Sequence, residues 1–154
     1  MNLHVILVEP EIPQNTGNIV RTCAAVGAEL HLIEPLGFSL DDRYLKRAGL
    51  DYWNEVRVFT YPDFVAYRSR HPVRKLVYTT KRAGNHHTDI HYRPTCGIVF
   101  GKETEGLPQS ILDGNEQMTV RIPMRLNIRS LNLSNAVAIV VYEALRQNGF
   151  SELV

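Results

Sequence analysis

RIPMRLNIRSLNLSNAVAIVVYEALR, residues 121–146, is the stretch that decides the fold, because a long apolar segment there follows a polar loop that carries arginines. Apolar residues recur at helical spacing from Leu133 to Ala144, which predicts a helix reaching Gln147. The β-branched run 137–141 would also suit a strand, but the polar start favours the helix. A helix that is apolar most of the way round is buried on two sides. In so small a chain, one of those sides is expected to meet a second copy, which predicts a homodimer.

The start of this helix is unusually polar. Four residues within six positions carry short polar side chains: Ser130, Asn132, Ser134 and Asn135. Such side chains accept hydrogen bonds from the free N–H groups of a first helical turn, but capping accounts for only about two of them. The others are candidates for binding or catalysis.

Size and charge limit the possible functions. The chain has 154 residues, of which 44% are hydrophobic and 21% charged, which predicts one domain over residues 1–154. The formal net charge of +1 excludes a uniformly basic surface that would bind nucleic acid indiscriminately. Basic residues are nevertheless grouped, and several groups around one site could hold a phosphate backbone. The groups are Arg43, Lys46 and Arg47; Arg68, Arg70, Arg74 and Lys75; Lys81 and Arg82; and Arg121, Arg125 and Arg129.

The cellular location is predicted from what the chain lacks. Its first residues have neither the basic region nor the cleavage site of a signal peptide, and no apolar run is long enough to cross a membrane. Cys23 and Cys96 each lie in an apolar segment, which is typical of buried unpaired cysteines. We therefore expect a cytoplasmic protein without a disulfide or a membrane partner.

Short apolar strands alternate with helices along the chain, which predicts an α/β domain of a mainly parallel sheet with flanking helices. The expected strands are 3–8, 30–33, 56–59, 75–78, 97–100 and 118–122. The expected helices are 17–26, 40–48, 62–69, 108–113 and the long C-terminal one. Ligands of such sheets bind beyond the carboxyl ends of the strands. Three polar loops are expected there: 15–21, 101–106 and 123–132.

The first of these loops leads into a helix with identifiable ends. Asn15 or Thr16 is expected to cap the helix, and Gly27 to end it in a left-handed conformation. Arg21 would then lie about one turn into the helix, near the loop.

Several catalytic motifs are absent. The Gly101-Lys102 pair does not complete a phosphate-binding G-x-x-x-x-G-K-[ST] loop, and neither G-x-G-x-x-G nor G-x-S-x-G occurs. His86, His87 and His91 could ligate a metal, but no nearby cysteine or paired carboxylates complete a site. We expect an exposed loop there and no metal, while a dispersed Ser-His-Asp arrangement remains open.

Three blocks of sequence resemble the TrmH-like branch of the SPOUT RNA methyltransferases, in matching order and separation. They are Asn15-Thr-Gly-Asn-Ile-Val-Arg21, Phe100-Gly-Lys-Glu-Thr-Glu-Gly-Leu107, and Ile122-Pro-Met followed by Ser130-Leu-Asn-Leu-Ser-Asn-Ala-Val137. Further pieces, including Glu9-Pro-Glu-Ile-Pro13 and Arg47-Ala-Gly-Leu-Asp-Tyr52, are similar to the minimal members that methylate the wobble ribose of leucine tRNAs, at cytidine or modified uridine. The combination is specific, although each block alone is weak.

The resemblance implies a C-terminal trefoil knot, a homodimer, a tRNA substrate, and S-adenosylmethionine that leaves as S-adenosylhomocysteine. By match to the blocks, the implied catalytic residues are Arg21, Asn15, Glu103, Ser130 and Asn132. The implied cofactor-binding residues are Tyr78, Thr79, Gly101, Ile122, Met124, Ser130 and Leu131. Arg21 is expected to hold a phosphate and offset charge on the ribose oxygen. Two alternatives stay open: methylation of ribosomal RNA, and binding of RNA or a nucleotide without chemistry.

Overall fold

A seven-stranded sheet organises the structure, a computed structural model that describes residues 2–41, 43–49, 52–151 and 153–154. The strands are β1 His4–Val8, β2 Glu29–Ile33, β3 Val58–Tyr61, β4 Leu76–Thr79, β5 Asn85–His86, β6 Gly97–Phe100 and β7 Thr119–Arg121. Their order is β3-β2-β1-β6-β4-β7-β5, and every pairing between neighbours is parallel. The predicted mainly parallel α/β fold is confirmed, whereas the trefoil knot stays a prediction.

Helices cover both faces of this sheet. They are α1 Pro13–Val26, α2 Arg43–Gly49, α3 Phe64–Arg70, α4 Gln109–Leu112 and α5 Leu133–Gln147, with two 3₁₀ turns at Trp53–Glu55 and Glu116–Met118. The main hydrophobic cluster lies between one face and helices α1 and α5, where Ile19, Cys23 and Val140 are fully buried. A second cluster lies on the other face, around Tyr67 and Val99. Strands buried on both faces need apolar residues at successive positions, as in β6.

Helix α1 begins earlier than the sequence predicts. Its first residue is Pro13, which suits the first helical turn because proline has no N–H to leave unsatisfied. The prediction that Asn15 or Thr16 caps the helix is therefore wrong, since both lie inside it and are buried. Gly27 ends the helix at a φ of 68°, as predicted. Arg21 thus lies eight residues beyond the first helical residue, more than two turns from the loop.

Helix α5 buries one face in its own chain. Val137, Val140 and Val141 are fully buried, whereas Ile139 and Tyr142 on the outer side remain 39% and 46% exposed. Asn132 caps the helix, because its Oδ1 accepts from the backbone N–H groups of Ser134 and Asn135 at 2.9 and 3.4 Å. The capping role expected of the polar start is thus confined to one of its side chains. Burial of the outer side by a second copy stays a prediction.

Two smaller features complete the fold. Strand β5 pairs with β7 at the sheet edge and was not predicted, because two residues carry no recognisable alternation. It includes His86 from the histidine trio that the sequence analysis placed in a loop. Cys23 and Cys96 are buried and unpaired, as expected. Among the described residues, every helix is too short or too polar to cross a membrane.

Candidate active site

A cleft of about 410 Å³ opens at the carboxyl ends of β4, β6 and β7. Pockets that bind small molecules or cofactors usually measure about 300–1,000 Å³. The segments that follow the three strands, at residues 79–82, 100–107 and 121–124, form its sides, and residues 129–133 with the start of α5 complete it. Two of the three loops expected from the sequence thus meet in one cavity.

The chemistry of the cleft is divided between an apolar part and a charged part. Its apolar lining includes Leu107, Leu112, Val120, Ile122, Leu131, Leu133, Ala136 and Val140. Its charged lining includes Lys81, Arg82, Lys102, Glu103, Glu105, Arg121 and Arg129. An apolar pocket with charged groups around it suits a ligand that has a flat apolar ring and a polar tail.

The loop after β6 approaches itself so closely that only glycine fits at its start. A side chain on Gly101 would place its Cβ 2.2 Å from the backbone carbon of Gly106 and the backbone nitrogen of Leu107. Gly106 has a φ of 74°, which favours glycine, and its N–H donates to the carbonyl of Lys102 at 3.1 Å. The resulting tight turn leaves main-chain atoms on the wall of the cleft.

Glu103 connects this turn to the start of α1. Its Oε2 accepts from the backbone N–H of Glu11 at 2.8 Å, and its Oε1 accepts from that of Ile12 at 3.0 Å. The Asn15 side chain donates to the same Oε1 at 3.1 Å. Helix α1 has neither a side-chain cap at Ile12 nor an acidic residue in its first turn. The Glu103 carboxylate supplies the negative charge that a helix start favours, from a position 91 residues away.

Asn15 passes this connection on to the start of α5. Its Oδ1 accepts from Asn132 Nδ2 at 2.9 Å, while its own Nδ2 is used by Glu103. Asn132 in turn caps α5 through its Oδ1. One chain of hydrogen bonds therefore joins the three blocks singled out in the sequence, although they are far apart along the chain.

Further contacts brace the same loops. Lys102 Nζ lies 2.6 Å from Glu9 Oε2, and this hydrogen bond raises the pKa of Lys102. Glu11 accepts from the Thr104 backbone N–H at 3.1 Å and from the Thr104 hydroxyl. The segment before α1 and the turn after β6 are thus held together by side chains from both.

The sequence-predicted residues fall into three groups: those that line the cleft, those next to it and those outside it. Those that line the cleft are Thr79, Gly101, Ile122, Met124, Ser130, Leu131 and Glu103. Asn15 and Asn132 lie next to it, through their hydrogen bonds to each other and to Glu103. Tyr78 is outside the lining, because its side chain is 4% exposed and packs against Phe64 with ring centroids 6.4 Å apart. Only the main chain of Tyr78 is left as a candidate contact.

Arg21 is also outside the cleft of its own chain. Its side chain is exposed, and its guanidinium carbon lies 5.2 Å from the centroid of the Tyr52 ring. This cation–π contact holds the guanidinium on the α1 surface, against the 3₁₀ turn that starts at Trp53. Arg21 lies six residues, or fewer than two helical turns, beyond Asn15 and its hydrogen bonds.

The sequence analysis missed part of the lining. Gln109 and Leu112 of the short helix α4 reach the cleft, and neither was predicted as a site residue. Lys81, Arg82, Arg121 and Arg129 had been recognised as basic groups that could hold a phosphate backbone around one site, but they were not assigned to this cleft. The available signal was that Lys81 and Arg82 closely follow β4 and that Arg121 ends β7.

Comparisons with known proteins agree with this arrangement. The model of the SpoU rRNA methylase family matches residues 2–142. The tRNA (cytidine(34)-2′-O)-methyltransferase of Burkholderia ambifaria is 55% identical over 152 residues, which cover 96% of each chain. A solved structure that is described as giving insight into the 2-OH methylation of C/U34 on tRNA superimposes on this chain with a TM-score of 0.91. The two share 41% identity, and 97% of each chain is covered.

A more distant structure carries a ligand. The SpoU methyltransferase AviRb of Streptomyces viridochromogenes, in complex with the cofactor AdoMet, superimposes with a TM-score of 0.80 at 26% identity. The superposition covers 96% of this chain and 61% of the AviRb chain. With a family match over nearly its whole length and a relative that shares more than half of its residues, this chain belongs to the SpoU rRNA methylase family.

Proposed function

We propose that this protein transfers a methyl group from S-adenosylmethionine to the ribose 2′-OH of nucleotide 34 in tRNA. The observation that carries the proposal is one chain of hydrogen bonds through Glu103, Asn15 and Asn132, which joins the three sequence blocks beside a cleft that two of them line. The relatives named for methylation of position 34 align with this chain over almost the full length of both, which supports the substrate.

The cleft residues fit S-adenosylmethionine. The apolar lining around Ile122 and Leu131 suits adenine, and the close approach of main chain at Gly101 leaves backbone groups to bind the ribose and the amino-acid part. Thr79, Met124 and Ser130 would complete the binding site, with Tyr78 contributing main chain only. When bound, the sulfonium supplies a methyl group activated for attack by an oxygen.

The residues of this chain then have to position the ribose. Glu103, Asn15 and Asn132 fix the two helix starts relative to the cleft, so a nucleotide bound there meets a rigid wall. Placing two reactants in line can lower a barrier by about 7–11 kcal/mol in favourable cases. Ser130 lines the cleft and offers a hydroxyl for the substrate.

Arg21 has a different place in the proposal. Its guanidinium would hold the phosphate next to the target ribose and offset negative charge developing on the 2′ oxygen. Arg21 lies outside the cleft of its own chain. It must therefore contact a part of the RNA that extends beyond this cleft, or reach the cleft of a second copy of the protein. Such a copy is expected in the homodimer.

A homodimer through the outer side of α5 is supported by exposed apolar side chains. Ile139, Tyr142 and Phe150 are 39%, 46% and 41% exposed, and Tyr142 and Phe150 share a surface depression with Ala25 and Leu153. Leaving such a contiguous apolar surface in water is unfavourable, whereas a symmetric partner would bury it twice.

The tRNA would be bound through positive charge at the cleft. Four basic residues line the cleft: Lys81, Arg82, Arg121 and Arg129. Together they can contact RNA phosphates, although the net charge of the whole chain is only +1. We further propose that the substrates are leucine tRNAs with cytidine or modified uridine at position 34. A cytoplasmic location and a reaction without a metal belong to the same proposal.

The test is transfer of labelled methyl groups from S-adenosylmethionine to purified RNA. Incorporation into tRNA supports the proposal, incorporation into ribosomal RNA supports the first alternative, and retention of RNA without label supports a binding protein. Gly101→Ala, whose Cβ forces the turn on the wall of the cleft to move, is the matched negative control.

A further inference from the structure

Three histidines meet at the end of the sheet opposite the cleft. His4 starts β1, His31 lies in β2 and His71 directly follows α3. One ring nitrogen from each lies within 4.8 Å of the others. His4 pairs in register with Glu29, and Glu29 and His31 are two residues apart, so the three side chains share one sheet face. This group is separate from the histidine trio at residues 86–91.

Tyrosine hydroxyls orient the two buried imidazoles. The Tyr67 hydroxyl lies 3.1 Å from His4 Nδ1, and the Tyr61 hydroxyl lies 3.0 Å from His31 Nδ1. The Nε2 atoms of both rings therefore stay free and face the Glu29 carboxylate. Histidines that bind metals usually have their second nitrogen fixed by such a hydrogen bond.

The ring nitrogens differ in their partners: His71 Nε2 lies 3.1 Å from the Tyr61 hydroxyl, whereas His31 Nε2 is buried without a hydrogen bond among the described residues. Glu29 Oε2 lies 3.6 Å from this atom and 3.7 Å from His4 Nε2, beyond hydrogen-bonding distance. A buried nitrogen without a partner is unfavourable, which makes His31 Nε2 a candidate ligand atom.

The cluster combines imidazoles with a carboxylate, and two arginines, Arg57 and Arg74, lie near enough to act on it electrostatically. A neutral imidazole offers a metal ion the lone pair of its unprotonated ring nitrogen. Glu29 contributes a carboxylate whose other oxygen is held by Arg57 at 2.6 Å.

We propose that His4, His31, His71 and Glu29 form a binding site for a divalent transition-metal ion, with Zn²⁺ as the best match. Three imidazoles and one carboxylate are typical zinc ligands, whereas Mg²⁺ and Ca²⁺ prefer a shell of oxygens. The ion would connect the starts of β1 and β2 to the end of α3, away from the cleft.

Binding must draw the ligands together. Zinc–nitrogen bonds measure about 2.0–2.1 Å, which requires the ring nitrogens to lie closer than the present limit of 4.8 Å. The His4 and His31 rings are stacked 4.0 Å apart with planes at 23°, so they must also tilt away from each other. The His71 ring is already at 89° to that of His4. Loading is therefore expected to shift the imidazole NMR signals of this cluster.

The experiment titrates ZnCl₂ into the full-length protein after treatment with a chelator, by calorimetry and by thermal unfolding. We expect one Zn²⁺ per chain and a higher unfolding midpoint, with no effect of MgCl₂. His31→Phe keeps the ring volume and removes the nitrogens, and should weaken binding by about tenfold or more, since even the outer partners of zinc ligands contribute 10- to 100-fold. His71→Phe, at the less buried position, tests the same prediction if His31→Phe does not fold, as judged by circular dichroism.

His91→Gln, at an exposed histidine outside the cluster, is the matched control and should bind Zn²⁺ like the unaltered protein. The proposal is overturned if no stoichiometric binding occurs. It is also overturned if binding survives in both His31→Phe and His71→Phe, or is lost in His91→Gln.

Discussion

Asn132 donates a hydrogen bond to Asn15 at 2.9 Å across 117 residues of sequence. The opposite end of the Asn15 amide donates to Glu103, so a single side chain links the starts of two helices to the turn after β6. An amide can do this because it carries a donor and an acceptor on one rigid plane. The three sequence blocks of the family are thereby one structural unit beside the cleft.

Glu103→Gln should impair this unit without changing its size. A glutamine offers one acceptor oxygen instead of two, so one backbone N–H among those of Glu11 and Ile12 would face an NH₂ group. We expect a loss of about 1–2 kcal/mol in unfolding free energy from the lost bond and the lost charge at the α1 start. The loss of methyl-transfer rate, expressed as a free energy, should exceed the loss in unfolding free energy. Chemical denaturation and labelled methyl transfer measure the two effects, with exposed Glu55→Gln as the control.

Gly101→Ala should close the cofactor side of the cleft. The new Cβ would meet backbone atoms at 2.2 Å, so the turn has to move. Overpacking of this kind typically costs about 1–3 kcal/mol. We expect affinity for S-adenosylmethionine to fall by about 10- to 100-fold in calorimetry. Gly84→Ala, where a Cβ meets nothing within 4 Å, should bind normally, and equal binding by both variants would contradict the placement of the cofactor.

Arg21→Lys tests the role proposed for the guanidinium. Lysine keeps the charge but loses the planar fork that can hold a phosphate and an oxygen together. We expect kcat to fall by about 100-fold, comparable to the loss of one donor to a developing oxyanion, with unchanged affinity for S-adenosylmethionine. Steady-state kinetics and calorimetry provide the two values. Near-normal turnover would refute the role, and exposed Arg93→Lys should behave like the unaltered protein.

Glu143 should make stability depend on pH in acid solution. The hydrogen bond from Arg146, at 2.8 Å, lowers the pKa of Glu143 from its ordinary value of 4.5 to about 2. Its contribution is therefore present above pH 4.5 and is lost as the pH falls towards 2. Glu143→Gln should unfold at a lower temperature at pH 7, and the difference from the unaltered protein should shrink below pH 4.5. A difference that stays constant from pH 7 to pH 3 would contradict this assignment.

The sequence alone predicted those features that neighbouring residues determine, such as the ends of strands and helices. Pro10 after β1 and Gly27 after α1 identify their boundaries, and the apolar spacing from Val137 to Ala144 identifies the buried side of α5. The α/β fold follows from these elements. The family resemblance then indicated which loops would matter.

Long-range contacts explain what the sequence did not show. The start of α1 was misplaced because its capping carboxylate comes from Glu103 rather than from a neighbour. Arg21 consequently lies further from the cleft than expected. The cluster of His4, His31 and His71 was invisible for the same reason, since strand pairing and a distant helix end bring its members together.

Mapping of 2′-O-methyl groups at nucleotide resolution tests the proposed function directly. Total RNA from cells lacking the protein is incubated with the purified enzyme and S-adenosylmethionine, then compared with RNA incubated with Gly101→Ala. We predict one new methyl group at position 34 of leucine tRNAs, absent with the variant. A protein that binds S-adenosylmethionine yet leaves position 34 unmodified, or modifies ribosomal RNA instead, would contradict the proposal.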